Sequence, residues 1–204
     1  KENFCAKVAV LNFANPVHPG GGVVRGAIAQ EECLCRSSNL YYGLTCEKMM
    51  QDYYGVNRVD MGEYGSDALG YHPGVCVFKD DELFSQNLNK EDRFHVDVIT
   101  CAAPRLFFGK PVDPDMLYTV HVKRGQRILE AAILNGVDVI VLGAFGCGAF
   151  ANDPEVVAKA YAYLLKNGYG DFFKKVVFAI KKEQNGVNRN YQAFQSVFRD
   201  YFGS

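Results

Sequence analysis

Short apolar runs rich in β-branched residues alternate along the chain with longer stretches of helical periodicity. This alternation is typical of an α/β fold in which helices cover a largely parallel, buried sheet. The predicted strands are 8–13, 75–78, 96–100, 138–142 and 176–180. The predicted helices are 24–36, 45–54, 115–135, 154–167 and 191–201. The pattern therefore predicts a sheet with helices on both faces, in three layers.

Local signals mark the ends of several predicted helices. The segment 152–155, Asn-Asp-Pro-Glu, supplies a cap, a proline at the first helical position and an acidic first turn. Gly136 and Gly168 stand where a left-handed residue is expected to end a helix. The stretches predicted to be long loops are 57–73 and 104–114.

The bulk properties are those of an ordinary globular protein. At 204 residues, with no repeat or linker, one domain covering residues 1–204 is expected. The net charge of -1 offers no global attraction for nucleic acid, so no direct nucleic-acid binding is expected. Apolar runs fall short of the roughly 18 residues of a membrane span, so no membrane association is expected. We expect a monomer.

The seven cysteines are an odd number, and several lie in apolar runs where buried free thiols are common. They are Cys5, Cys33, Cys35, Cys46, Cys76, Cys101 and Cys147. This usage predicts a reduced chain and a cytoplasmic location. Neither the cysteines nor the four histidines have the spacing of a metal site, so no metal is expected.

Two glycine-rich segments follow predicted strands. Gly20-Gly21-Gly22 comes after strand 8–13, and segment 143–150 comes after strand 138–142. Ligands of α/β folds bind beyond the carboxyl ends of parallel strands, and glycine loops leave amide N–H groups free to meet an anion. We therefore expect a phosphate-bearing ligand, with segment 143–150 wrapping a diphosphate. The alternative is that both segments are tight structural turns.

Glu31 and Glu32 lie on the predicted helix 24–36 that follows the three glycines. The apolar face of this helix is predicted to carry Val24, Ala27, Ile28, Leu34 and Cys35. Glu31 falls in the middle of that face, and Glu32 lies about 100° away. A carboxylate in such a place is costly unless it is paired, hydrogen-bonded or protonated, so Glu31 is either a buried structural residue or part of a site. Two adjacent carboxylates after three glycines favour a site.

Four segments together resemble those of the macrodomains and, more narrowly, of the bacterial-type poly(ADP-ribose) glycohydrolases. They are Asn12-Phe13-Ala14-Asn15, the G-G-G-x7-Q-E-E signature from Gly20 to Glu32, the run 98–104 (Val-Ile-Thr-Cys-Ala-Ala-Pro), and 143–150. The Q-E-E signature is specific, because binding-only macrodomains and mono(ADP-ribosyl) hydrolases lack it. The resemblance implies a macrodomain-like α/β fold with a mixed, largely parallel sheet flanked by helices on both faces.

The same resemblance implies hydrolysis of the ribose–ribose O-glycosidic bonds of poly(ADP-ribose), with release of ADP-ribose from chain ends. Glu32 would be the catalytic acid/base, and Glu31 would hold the ribose hydroxyls beside the scissile bond. Asn15 would bond a ribose hydroxyl, and Phe150 would press on a ribose. Gly20 to Gly22 and the loop 143–150 would enclose the diphosphate. The other residues implied to bind substrate are Gly20, Gly21, Gly22, Val23, Gln30, Gly143, Ala144, Phe145, Gly146, Cys147, Gly148 and Ala149.

The implied chemistry resembles glycoside hydrolysis through an oxocarbenium-like state. Glu32 would protonate the departing ribose oxygen and then deprotonate the attacking water. This scheme needs no metal and no cofactor. The implied partners are ADP-ribose and poly(ADP-ribose) on modified proteins. Two positions depart from the family pattern: Ala151 replaces a usual glycine, which could stiffen the loop, and Arg105 replaces a usual asparagine, where it either adds a phosphate contact or faces solvent.

Other interpretations remain open at the level of sequence. The chain could be a catalytically weak ADP-ribose-binding reader, although a reader has no use for two adjacent carboxylates. It could instead hydrolyse mono-ADP-ribosyl linkages. A nucleophilic role for Cys147 is disfavoured because no motif places a base beside it. Tyr191 and Phe194 could stack on adenine, but aromatic residues at helical spacing usually belong to a core.

Overall fold

The computed structural model describes residues 6–60, 62, 64–80, 85–106, 111–181 and 188–203. The chain divides into two compact units, Ala9–Ala102 and Lys1–Val8 with Ala103–Ser204. The expectation that residues 1–204 are a single domain stays a prediction. Among the helices of the described ranges, none is both long enough and apolar enough to cross a lipid bilayer.

The described residues of the first unit form three strands, in the order β2-β3-β1. Their bounds are β1 Val8–Phe13, β2 Leu69–Val77 and β3 Phe94–Cys101. Strands β1 and β3 run parallel, with Phe13 opposite Cys101, whereas β2 runs antiparallel to β3. Ala9 and Leu11 of β1 and Val98 and Ile99 of β3 are buried, as expected for inner strands. The carboxyl ends of β1 and β3 therefore lie side by side.

The helices of this unit are short. They are a 3₁₀ turn Val23–Arg25, α1 Gln30–Ser37, α2 Leu40–Leu44, α3 Glu47–Met49, a π-helical segment Met50–Gly55, α4 Val56–Val59 and a 3₁₀ turn Lys90–Asp92. The π-helical segment places Tyr53 and Tyr54 in the core, where their rings meet edge to face at 4.8 Å. Leu40, Leu44 and Val98 pack in the same core. Burial of this apolar cluster stabilises helices too short to form alone.

In the second unit, the part that the structure describes combines two parallel strands with three long helices. These elements are α5 Pro114–Leu134, β4 Val139–Leu142, α6 Pro154–Lys166, β5 Lys175–Phe178 and α7 Arg189–Phe202, with a 3₁₀ turn Tyr169–Phe172. Helix α6 packs against both α5 and α7. Phe194 of α7 is buried, and its ring lies 5.3 Å from that of Phe178. Phe194 is thus a core residue, as the helical spacing of aromatics indicated.

Most of the predicted strands and long helices are confirmed, with ends displaced by a few residues. The α6 cap is also confirmed: Asp153 accepts hydrogen bonds from the amides of Glu155 and Val156, and a proline follows it. Gly136 and Gly168 both have positive φ, at 67° and 106°. In the predicted loop 104–114, residues 107–110 lie outside the described residues, Pro114 begins α5, and the others form neither helix nor strand.

The predicted helix 24–36 is wrong in its first half. The 3₁₀ turn Val23–Arg25 ends at Gly26, whose φ of 76° is left-handed, and α1 begins later. Val24 and Ile28, expected on the apolar face, are 78% and 83% exposed. The apolar spacing before Gly26 matches a helix, but a left-handed glycine cannot continue one.

Two further boundaries differ from the prediction. The predicted helix 45–54 is split, because Cys46 is extended (φ -67°, ψ 153°) between α2 and α3. The predicted loop 57–73 contains the end of α4 and the first half of β2. The strand continues through Pro73-Gly74, a pair typical of turns, because Gly74 (φ 62°) forms a bulge and donates its N–H to Asp97 Oδ1 at 2.8 Å.

Candidate functional site

Gln30, the first residue of α1, ties the start of this helix to the end of β1. Its side-chain Oε1 accepts the amide N–H of Phe13 at 2.8 Å, and its Nε2 donates to the carbonyl of Leu11 at 2.7 Å. The side chain thus pairs with β1 much as another strand would. It fixes the next two residues, Glu31 and Glu32, beside the carboxyl end of β1. The predicted contact of Gln30 with substrate stays a prediction.

Glu31 is 3% exposed, and its hydrogen bonds come from the segment after β1. Its Oε2 accepts the amide N–H of Asn15 at 2.7 Å, and its Oε1 lies 3.4 Å from Nδ2 of Asn12. Burial raises the pKa of Glu31 from 4.5 to about 7, against the opposing effect of these two hydrogen bonds. At neutral pH, Glu31 is therefore present in both its neutral and its ionised form.

Glu32 is 7% exposed and differs from Glu31 in how its two oxygens are bonded. Oε1 accepts the amide N–H of Gly22 at 2.8 Å. Oε2 is buried and has no hydrogen-bond partner among the described residues. One oxygen is thus held by the backbone, and the other is left to bond a further group.

Both carboxylates press on Gly21. A Cβ atom built on Gly21 would overlap Oε1 of Glu32 and would lie 3.1 Å from Oε2 of Glu31. The φ of Gly21 is 58°, a conformation that also disfavours any side chain. Gly21 is therefore required both by its backbone conformation and by the closeness of the two carboxylates.

The glycine amides are not free, and the prediction that they are is wrong for Gly21 and Gly22. Gly21 N–H donates to the carbonyl of His18 at 3.0 Å, and Gly22 N–H donates to Glu32. The reason is that buried carboxylates need donors, and the adjacent backbone supplies them. Gly20 also lies beside Glu31 and slightly lowers its pKa. Val23 packs against the core cluster, and its predicted contact with substrate stays a prediction.

Asn15 orders the turn that follows β1. Its Oδ1 accepts the amide N–H groups of Val17 and His18, both at 2.9 Å. Its backbone N–H holds Glu31. The Nδ2 group takes part in neither interaction, so it is the atom of this side chain that can donate to a ligand hydroxyl.

The predicted diphosphate loop, residues 143–150, lies in the second unit. The loop carbonyls that accept a hydrogen bond from a backbone N–H or from the Asn152 side chain belong to Gly143, Ala144, Gly146, Gly148 and Phe150. By contrast, the amides of Gly146, Gly148 and Ala149 have no partner among the described residues. The loop therefore presents donors rather than acceptors, which suits an anion.

Of two further side chains in this loop, Phe145 is buried and Cys147 is partly buried. Phe145 is 1% exposed, and its ring meets that of His121 edge to face at 6.0 Å. Burial raises the pKa of the Cys147 thiol to about 12, which disfavours the nucleophilic thiolate. Any ligand contact of Phe145 would therefore be made by its backbone.

The two departures from the family pattern have different structural consequences. Ala151 has a φ of 56°, the left-handed region that a glycine occupies without strain. Arg105 is exposed, so it faces solvent. The alanine thus places strain at the end of the predicted diphosphate loop.

Sequence reasoning missed Asn12 and Asn152 as site residues. Asn12 was only part of a quoted motif, and Asn152 was interpreted as part of a helix cap. In the structure, the side chain of Asn12 donates hydrogen bonds to Glu31 and to Thr100 Oγ1. The side chain of Asn152 donates to three carbonyls in and beside the 143–150 loop. Both asparagines are buried in the folded protein, and the sequence around them gives no sign of this burial.

The chain is similar to known glycohydrolases over nearly its full length. A family model for the catalytic domain of microbial-type poly(ADP-ribose) glycohydrolase (PARG) matches residues 1–80. The structure of PARG from Thermomonospora curvata is 39% identical, with a TM-score of 0.84, and the match covers 94% of this chain and 68% of that one. PARG from Deinococcus radiodurans in complex with ADP-ribose is 33% identical, with a TM-score of 0.84 and coverages of 97% and 77%.

A Thermomonospora curvata PARG structure bound to the inhibitor ADP-HPD is 38% identical, with a TM-score of 0.81. That match covers 93% of this chain and 70% of the other. No curated protein sequence matches the chain. The structural similarities confirm the predicted fold class, an α/β macrodomain-like fold with a mixed, mostly parallel sheet.

Replacing Glu31 by Gln is expected to change how stability depends on pH. The pKa of Glu31 is raised from 4.5 to about 7 in the folded protein, so between these values the folded state holds a proton that the unfolded state has lost. This contribution to stability is complete below the unfolded pKa and is lost as pH rises through the folded one. A pKa shift of this size corresponds to a contribution of about 3 kcal/mol to the free energy of unfolding.

The measurement is the free energy of unfolding in urea of wild type and Glu31→Gln, at about pH 4.5 and about pH 8. As pH rises, the free energy of unfolding of the wild type should fall relative to that of the variant, because Gln does not titrate. A difference that stays constant across this range would contradict the raised pKa.

Ala151→Gly is expected to raise the free energy of unfolding by about 1 kcal/mol, because it relieves the left-handed strain. Ala149→Gly is the matched control: it lies in the same loop, is exposed and does not have positive φ. That control should leave stability unchanged or lower it slightly, through the added freedom of the unfolded chain. Equal effects of the two substitutions would contradict the assignment of strain to Ala151.

Proposed function

Since the chain belongs to the microbial-type poly(ADP-ribose) glycohydrolase family, it is a glycosidase that hydrolyses poly(ADP-ribose), and we propose that Glu32 is its catalytic acid/base. The observation that carries this proposal is the contrast between the two oxygens of Glu32. Oε1 is fixed by the amide of Gly22, whereas Oε2 is buried and without a partner among the described residues. A general acid needs one oriented oxygen that can reach the substrate.

In the proposed reaction, Glu32 Oε2 carries the proton when the substrate binds. The glycosidic C–O bond breaks, its electron pair goes to the departing ribose oxygen, and that oxygen takes the proton from Glu32. The remaining ribosyl group has oxocarbenium character. Water then bonds to the anomeric carbon and gives a proton to Glu32, which restores the acid. The products are ADP-ribose and a chain shorter by one unit.

The proposed role of Glu31 is to hold the ribose hydroxyls beside the scissile bond. Its Oε2 is anchored by the amide of Asn15, so the carboxylate has a fixed orientation. With a pKa of about 7, the group can accept a hydroxyl hydrogen bond when ionised and donate one when neutral. This supports a positioning function for Glu31 next to the acid/base Glu32.

The proposed substrate contacts use hydrogen-bond donors that are not bonded to other groups of the described residues. The amides of Gly146, Gly148 and Ala149 would bind the diphosphate, and Nδ2 of Asn15 would bond a ribose hydroxyl. Phe150 would press on a ribose. The relative from Deinococcus radiodurans is described in complex with ADP-ribose, and we infer the same ligand for this chain.

We also propose the mode of cleavage, the substrate and the cellular setting that the sequence predicts. Cleavage would proceed from chain ends, without metal or cofactor, on poly(ADP-ribose) attached to modified proteins. The protein would act as a cytoplasmic monomer, a setting that suits the free thiols of its described cysteines.

Glu32→Gln is expected to lower turnover on purified poly(ADP-ribose) by about 10²-fold or more, because Gln cannot transfer the proton. Release of free ADP-ribose is measured for wild type and variant with EDTA present in both reactions. Glu91→Gln, an exposed change on a 3₁₀ turn, is the matched control and should keep wild-type turnover. Near wild-type turnover in Glu32→Gln would remove Glu32 from the mechanism.

Two further measurements on the wild type, calorimetry with ADP-ribose and a parallel reaction on mono-ADP-ribosylated protein, separate the alternative functions. Binding of ADP-ribose by wild type in calorimetry without any release from polymer would indicate a reader. Release only from mono-ADP-ribosylated protein would indicate a hydrolase of mono-ADP-ribosyl linkages. Short oligomers among the earliest products would contradict cleavage from chain ends.

Gly21→Ala is expected to abolish turnover, because the new Cβ would displace both carboxylates. Gly26→Ala is the matched control: its φ is also positive, at 76°, but its Cβ would meet nothing within 4 Å. The control therefore carries only the backbone strain of about 1 kcal/mol and should keep most of the activity. Similar losses in the two variants would show that backbone strain, and not contact with the carboxylates, explains the need for glycine.

A further inference from the structure

Asn152 connects the middle and the end of the 143–150 loop through its side chain. It is 3% exposed, and its Nδ2 donates to the carbonyls of Pro104 at 2.7 Å and of Gly146 and Phe150, both at 3.1 Å. Its backbone N–H also donates to the carbonyl of Gly146. One buried residue therefore holds the middle and the end of the loop.

His121 of α5 fixes the orientation of this amide. Three carbonyls can only accept, so the NH₂ group of Asn152 must face them, and Oδ1 must face Nε2 of His121, which lies at 2.8 Å. His121 is therefore the donor in this bond, with its proton on Nε2. Burial lowers the pKa of His121 to about 4, so the ring stays neutral at physiological pH. The same ring contacts Phe145 of the loop.

The surrounding loop has little freedom to accept any other arrangement. A Cβ atom on Gly146 would lie 2.7 Å from Nδ2 of Asn152 and would also overlap Ala103. Ala151, next to Asn152, is held in its left-handed conformation. Strain of this kind persists only where neighbouring interactions oppose its relaxation, and the bonds of Asn152 to Gly146 and Phe150 are such interactions.

We propose that Asn152, oriented by His121, is a positioning residue that holds the 143–150 loop in the conformation that binds the diphosphate of ADP-ribose. The inference rests on the proposed binding role of this loop. Asn152 touches no reacting atom; it acts through the backbone groups that it fixes. Its loss should weaken substrate and product binding more than it slows the chemical step.

The test compares Asn152→Ala, His121→Phe and His121→Gln with wild type. The dissociation constant of ADP-ribose is measured by calorimetry, and KM and kcat are measured on poly(ADP-ribose). Asn152→Ala and His121→Phe should raise the dissociation constant and KM on the order of 10-fold, with a smaller change in kcat. His121→Gln retains a donor for Oδ1 of Asn152 and should recover part of the affinity that His121→Phe loses.

Leu129→Ala is the control for a merely structural effect. Leu129 is fully buried in α5, eight residues from His121, so its truncation destabilises the protein at a distance of about 12 Å along the helix. At a temperature where this variant is folded, its affinity for ADP-ribose should equal that of wild type. Equal weakening by Leu129→Ala and Asn152→Ala would overturn the inference.

The outcomes also separate this inference from the proposed function. Wild-type affinity in Asn152→Ala, or in His121→Phe should Asn152→Ala fail to fold, would overturn the positioning role and leave the glycohydrolase assignment intact. Failure of the wild type itself to bind ADP-ribose and to cleave the polymer would instead overturn the proposed function, together with the inference that depends on it.

Discussion

The burial of two adjacent carboxylates at the start of α1 is the constraint on which the first unit of this protein depends. A carboxylate that leaves water must recover hydrogen bonds from the protein or become protonated. Glu31 recovers them from the amide of Asn15 and from Asn12, and Glu32 recovers one from the amide of Gly22. Such charge-assisted bonds contribute about 1.5–3 kcal/mol each. They do not fully offset burial, because the pKa of Glu31 still rises to about 7.

The same constraint explains the composition of the segment between β1 and α1. The chain must turn back so that two of its amides reach the carboxylates, and Asn15 fixes this turn through its Oδ1. Gly21 must lack a side chain because both carboxylates lie against it. Gln30 then holds the helix to β1. The glycine-rich sequence therefore meets the requirements of the two buried carboxylates.

The parts of this site that could be predicted from sequence are those in which the partners are close along the chain. Glu31 and Glu32 stand next to each other and follow the glycines at a fixed spacing, so their shared location was readable. The start of α1 could not be predicted, because the apolar spacing around Val24 and Ile28 fits a helix. Only the positive φ of Gly26 shows that the helix does not include these residues. Asn152 was not readable either, because its partners Pro104 and His121 are far from it in sequence.

The two glycine-rich segments therefore meet different physical requirements, although their sequences both suggest a loop with free amides. In the first, amides are donated to the protein itself, to His18 and Glu32. In the loop 143–150, backbone amides and Asn152 bond most of the carbonyls, whereas several amides, including those of Gly146, Gly148 and Ala149, have no partner among the described residues. A segment with bonded acceptors and unbonded donors attracts an anion without any lysine or arginine. The first segment is thus suited to support the proposed acid/base chemistry, and the second has the free donors that the proposed diphosphate site requires.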